Sequence, residues 1–294
     1  TIPAPAQFIE QMIMPFALEN TSKYYDSTHK LAEDIANGYK KVIADLYDAG
    51  CRNLQLDDCS WGMLVDPRAE ELFGTDKKGL KDIQELLVEI NNLAIEDKPN
   101  DMTITTHVCR GNFHSTYASA GAYDSVAEVL FEKENVDAYY LEFDDERSGG
   151  FEPLAHVNGD KKVVLGLITT KSPKMENKAD VIARIKEAQK YISLDRLCLS
   201  PQCGFASCEI GNKLTEEEQA WFQEAADLAT EEERVHVQNV EQQFLDEMIE
   251  KGLIYNEVEN IDEIVATCEK TWVNYVDTIG EDRYNLILEK LGRN

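Results

Sequence analysis

Thr105-Thr106-His107-Val108-Cys109 and Pro201-Gln202-Cys203-Gly204 carry the residue types best suited to chemistry in this chain. His107 and Cys109 are two apart, and residues i and i+2 of a strand face the same side. An imidazole and a thiol therefore sit side by side at a strand end. Cys203 follows a second short apolar run, Arg196–Ser200, and Glu142 interrupts a third, Tyr139–Phe143. One His, two Cys and one Glu on separate strand ends can form a tetrahedral zinc site. Two thiolates favour Zn²⁺ over magnesium or calcium. Taken without context, the same His and Cys also read as packed core residues, since free Cys behaves as a small apolar group.

The elements that must position these groups follow from the pattern around them. Candidate strands are Asn53–Asp57, Met102–His107, Ala138–Glu142, Val163–Ile168 and Arg196–Ser200, with Thr1-Ile2 as the end of another. Amphipathic helical segments lie between them: Ser27–Ala49, Lys78–Asn92, Asp124–Lys133 and Lys178–Ile192. Strand–helix alternation at this spacing predicts an α/β fold with a parallel sheet, open or closed into a barrel. The reactive residues fall at C-terminal strand ends, where (β/α)₈ barrels keep their active sites.

After Asn212 the pattern changes. Thr215-Glu-Glu-Glu218 has the form of a helix-capping box, and no strand pattern follows. The predicted division is a barrel domain over 1–212 and an all-helical C-terminal extension over 213–294. The extension carries 7 basic and 21 acidic side chains, about half of the net charge of −27 over 294 residues. That charge argues against nucleic-acid binding and against docking on anionic membranes. No apolar run is long enough to span a bilayer. Seven scattered cysteines do not resemble a disulfide framework and point to a reducing cytoplasm. Thr1-Ile-Pro-Ala-Pro5 shows no signal peptide, and the absence of an initiating Met implies a cut from a longer chain.

Five motifs, in order, resemble the catalytic domain of cobalamin-independent methionine synthase, in particular its short methionine synthase II-like relatives. They are Leu54-Gln-Leu-Asp57-Asp58, His107-Val-Cys109-Arg-Gly-Asn-Phe113, Leu141-Glu142-Phe143, Thr170-Lys171-Ser172-Pro173 and Pro201-Gln-Cys203-Gly204-Phe205. The resemblance covers about residues 1–212. It implies a (β/α)₈ (TIM) barrel whose first two strands lie upstream of this chain. It implies zinc ligation by His107, Cys109, Glu142 and Cys203, and homocysteine as the thiol that accepts a methyl group. Asp57 falls where the family binds the homocysteine ammonium. Asp58, Trp61, Asn112, His114, Arg147, Ser148 and Ser172 are read as further substrate contacts.

Two departures matter. Lys171 stands where folate-dependent members carry a His, and is read as a catalytic or donor-binding cation. Asp57-Asp58-Cys59 replaces the family's Asp-Glu-Pro. The methyl donor is left open between a methylfolate, a methyl-corrinoid protein and a small S-methyl compound. Alternative readings are another zinc-thiolate alkyl transfer, with coenzyme M as acceptor, and an inactive small-solute-binding protein. The second draws on Gln238–Gly292, which resembles the C-terminal helices of TRAP-type solute-binding proteins. Cys51, Cys59, Cys198, Cys208 and Cys268 are read as packing residues.

Overall fold

A computed structural model describes residues 1–113 and 115–204, and isolated positions beyond. Six parallel strands form one sheet in the order β1-β2-β3-β4-β5-β6. They are β1 Ile2–Pro3, β2 Asn53–Asp57, β3 Thr103–Val108, β4 Ala138–Glu142, β5 Lys162–Ile168 and β6 Leu197–Pro201. The helices are α1 Pro5–Ile13, α2 Pro15–Thr21, α3 Thr28–Asp48, α4 Ser60–Leu64, α5 Ala69–Phe73, α6 Lys77–Ile95, α7 Ala127–Lys133 and α8 Lys178–Ala188. The class is the expected one: α/β, of (β/α)₈-barrel type. Among the described residues, β1 and β6 are the two edges of the sheet.

Local sequence explains the long helices. Ser27 caps α3 by accepting from the His29 N–H at 3.2 Å, and Asp76 caps α6 by accepting from the Gly79 N–H at 2.9 Å. Leu31, Ala32, Ala36 and Ile43 of α3 recur at helical spacing and are buried. The α6 residues Leu87, Ile90, Ala94 and Ile95 are buried in the same core. Alternation does the same work in the strands. Leu54 and Leu56 of β2, and Ile104, Thr106 and Val108 of β3, are buried, while their neighbours are less so. Gln55, Asp57, Thr105 and His107 therefore share the opposite face of the sheet.

The chain divides into two compact units, Thr1–Phe222 and Gln223–Asn294. The expected boundary near residue 212 lies outside the described residues. So do most residues of the expected C-terminal helices. The described positions beyond Gly204 are helical, apart from a turn at Lys251. Among the described residues, no helix is long and apolar enough to cross a membrane.

Candidate metal centre

Register places the first two groups. Asp57 of β2 pairs with His107 of β3, which pairs with Tyr140 of β4. Residues so aligned on adjacent parallel strands lie side by side on one face. Asp57, His107 and Tyr140 thus line a common cavity of about 290 Å³, with Gln202 and Cys203 on its far wall. Cys109 follows directly after β3, and Cys203 comes two residues after β6.

The folded chain brings His107, Cys109 and Cys203 together. Each offers one ligand atom, and those atoms lie within 4.8 Å of one another. Asp57, Cys59 and Cys109 form a second such group. His107 Nε2 and Asp57 Oδ1 are withdrawn from solvent, and neither has a hydrogen-bond partner. Buried polar atoms left unpaired are costly and uncommon. An imidazole nitrogen without a partner beside two thiols fits a metal ion, and a sulfur-rich donor set fits Zn²⁺.

Burial and close approach shift the titration of all three groups. Burial depresses the His107 pKa, but the adjacent Cys203 thiol and the charges of Asp57 and Glu142 outweigh it, and the net shift is upward. The Cys109 thiol gains from its hydrogen bond with Cys203. Cys59 and burial override that gain and push it up to about 12. Its neighbour Cys109, followed by burial, likewise pushes Cys203 up to about 12, against the pull of His107. Coordination to a metal ion would deprotonate such thiols.

Glu142 stands outside both groups. It is fully buried, and Oε1 accepts from the Arg110 N–H at 3.0 Å. Oε2 accepts from Arg147 Nη2 at 2.9 Å. The Glu142 N–H donates to the Tyr123 hydroxyl at 3.1 Å. Its charge still reaches His107.

The remaining sequence-derived contacts fall in several places. Asp58 is fully buried and accepts from the Ser60 N–H, Trp61 Nε1 and Asn91 Nδ2 at 3.2, 3.0 and 3.0 Å. Burial pushes its carboxyl up to about 6. Trp61 is also fully buried and belongs to the core, away from the cavity wall. The Arg147 guanidinium, expected to meet a substrate carboxylate, is taken up by Glu142, Asp144 and Asp145. Ser148 is fully buried. Ser172 lines a separate cavity of about 610 Å³ with Asp144, Thr169 and Arg184. That cavity is larger than the one at the thiols, but neither of the two metal-suited groups lines it.

Lys171 Nζ donates to the Gly111 carbonyl at 2.9 Å and to Asn112 Oδ1 at 2.5 Å. Burial lowers its pKa, against the charges of Glu142 and Cys203. Asn112 Nδ2 donates to the Gly204 carbonyl at 2.6 Å, so this amide ties the segment after Cys109 to the segment after Cys203. His114 lies outside the described residues.

Cys59, read as a packing residue, is half-buried and belongs to the second of the two metal-suited groups. Asp57-x-Cys59 repeats the i, i+2 spacing of His107-x-Cys109 at the end of the neighbouring strand. Cys198, also read as packing, is exposed.

The model for the catalytic domain of cobalamin-independent synthase matches residues 12–226. The chain belongs to this family. A second model, for bacterial extracellular solute-binding protein family 7, matches residues 177–277, a span that begins with α8 and β6 of the sheet. The chain is similar to the uncharacterized protein YxjG of Bacillus subtilis, 47% identical over 223 residues, covering 74% of this chain and 57% of YxjG. It is similar to a methionine synthase of Pyrococcus abyssi, 25% identical over 183 residues, covering 62% of this chain and 45% of that protein. Among solved structures, it resembles a putative vitamin-B12-independent methionine synthase from Listeria monocytogenes. That chain is 44% identical, with a TM-score of 0.52, over 64% of this chain and 53% of its own. The chain thus spans less than two thirds of the relatives it matches.

Proposed function

We propose that this chain carries the thiol-activating site of a zinc-dependent methyltransferase, with homocysteine as methyl acceptor and methionine as product. The observation that carries this reading is the convergence of His107, Cys109 and Cys203 within 4.8 Å beside a cavity, with His107 Nε2 buried and unpaired. Zn²⁺ bound by these three residues would supply one thing: it lowers the pKa of a coordinated thiol so that a reactive thiolate exists at neutral pH.

The chain's own residues do the rest. Asp57 lines the same cavity, and its Oδ1 lacks a partner, so it suits a substrate ammonium through a charge-assisted hydrogen bond. Asn112 holds the two cysteine-bearing segments together through the Gly204 carbonyl. Lys171, bonded to Asn112 and Gly111, would serve as a cation for an anionic methyl donor or as a proton donor to the departing group. The donor is a methylfolate, a methyl-corrinoid protein or a small S-methyl compound. Free thiols at the site suit a reducing, cytoplasmic setting.

Metal analysis of His107→Ala and Cys203→Ser tests the reading. Each substitution is expected to reduce bound zinc well below about one ion per chain. Full zinc content in both variants would sink the assignment.

A further inference from the structure

Cys59 stands apart from the residues assigned to the metal. It belongs to the second group, with Asp57 and Cys109, and its Sγ lies within 4.8 Å of Cys109 Sγ. Both cysteines are free thiols, and they differ in exposure: Cys109 is buried and Cys59 half-buried. We infer that the two form a site of reversible oxidation, at which a small-molecule disulfide links Cys59 to Cys109. The pairing stands on the positions of the two thiols alone. Its consequence, release of the metal, rests on the zinc reading above.

Three observations support it. First, strand register brings the two together. Asp57 of β2 and His107 of β3 are direct partners, and the Asp58 N–H donates to the His107 carbonyl at 2.8 Å, so the ladder runs past the end of β2. Cys59 and Cys109 lie two residues beyond the paired Asp57 and His107. Adjacent strands run about 4.8 Å apart, inside the span of about 4.4–6.8 Å between the Cα atoms of bridged cysteines. Second, the turn carrying Cys59 is built to stay where it is. The Asp58 carboxylate is gripped by the three donors already described. A Cβ on Gly62 of α4 would lie 2.4 Å from the Cys109 carbonyl oxygen, so the first turn of α4, which Cys59 caps, is seated directly against Cys109. Holding two reacting groups side by side replaces an encounter in solution by a local step. Third, oxidation follows access. Cys109 also lies within 4.8 Å of Cys203, but both of those belong to the metal group. Cys59 is the thiol of the three that zinc leaves free to begin an exchange, with the buried Cys109 behind it to complete one.

In the metal-free chain the exchange balances in two steps. The Cys59 sulfur attacks the small disulfide RSSR, forming a Cys59–S–S–R bond, and the first RSH leaves with the Cys59 proton. The Cys109 sulfur then attacks the Cys59 sulfur, forming Cys59–S–S–Cys109, and the second RSH leaves with the Cys109 proton. Two electrons pass from the two thiols to the reagent. The product leaves His107 and Cys203 without the sulfur they share a site with. Bound zinc opposes the second step, because Cys109 must leave the metal to make the new bond. Oxidation and zinc binding therefore compete for one atom, Cys109 Sγ.

The test uses the full chain, stripped of zinc with a chelator and treated with glutathione disulfide. Peptide mapping without reductant is expected to find Cys59 joined to Cys109. The oxidised chain is expected to bind zinc at least about tenfold more weakly in a chelator competition, with recovery after dithiothreitol. Cys59→Ser is expected to bind zinc as the unaltered chain does and to lose far less of that affinity under the same treatment. Cys109 joined to Cys203, or glutathione adducts with no Cys59–Cys109 link, would overturn the pairing. A reduced chain that binds no zinc, yet forms the Cys59–Cys109 link, would keep the pairing and overturn the zinc reading.

Discussion

Beneath the thiol site lies a buried acidic network whose titration can be worked through. Glu134 is fully buried; Oε1 accepts from Asn91 Nδ2 at 2.7 Å, and Oε2 has no partner. The same Asn91 Nδ2 reaches Asp58 at 3.0 Å, and Asn91 Oδ1 accepts from the Ala6 N–H at 2.9 Å. Burial, then the charge of Asp58, pushes the Glu134 carboxyl up to about 8 against a usual value of 4.5. Between these values the folded protein binds more protons than the unfolded one, so folding stability falls as pH rises. The contribution is complete below about pH 4.5 and lost above about pH 8. At about 1.4 kcal/mol per pH unit, the loss is on the order of 3–5 kcal/mol. Glu134→Gln removes the titration and keeps an acceptor for Asn91. It is expected to change stability by less than about 1 kcal/mol at pH 5 and to stabilise by about 2–4 kcal/mol at pH 9. Urea titrations across that range, followed by hydrogen exchange of the β3 amides, would report it. Equal effects at pH 5 and pH 9 would show that Glu134 does not titrate in this way.

Two further outcomes follow from the site. Gly62→Ala places a methyl group 2.4 Å from the Cys109 carbonyl oxygen and 3.2 Å from Ser119 Oγ. The forced shift should cost about 1–3 kcal/mol and weaken zinc binding; unchanged melting and unchanged zinc affinity would show that α4 yields freely. Asp57→Asn should keep the zinc and weaken homocysteine binding about tenfold, roughly 1.4 kcal/mol. Calorimetry on zinc-loaded protein would detect this, and an unaltered affinity would move the ammonium site elsewhere.

Much of the sheet was legible in the sequence, because strand runs declare themselves locally. Asn53–Asp57 and Ala138–Glu142 match the observed strands residue for residue, and the other expected strands begin or end within a residue or two of the observed ones. Helices α1 and α2 were not anticipated. Each begins with a proline at its first position, Pro5 and Pro15, a setting where proline starts a helix and elsewhere would break one. Within the site, His107, Cys109 and Cys203 were legible by residue type and spacing. The fates of Asp58 and Arg147 were legible only in part. Asp58 bonds the nearby Ser60 and Trp61 but also Asn91, 33 residues away, and Arg147 pairs with the adjacent Asp144 and Asp145 and with Glu142 at the end of β4. The approach of Cys59 to Cys109 had a trace in the sequence, since its spacing from Asp57 copies that of Cys109 from His107. The copy matters only once the register of β2 against β3 is known.

In the proposed reaction a substrate thiol would become a metal ligand beside His107, Cys109 and Cys203. The most direct measurement is zinc-edge X-ray absorption of the zinc-loaded chain with selenohomocysteine. Selenium scatters differently from sulfur, so the substrate atom is told apart from the sulfurs of Cys109 and Cys203. A selenium neighbour is expected in the first coordination shell, lost in Cys203→Ser. A zinc shell that contains no selenium at saturating ligand would contradict it.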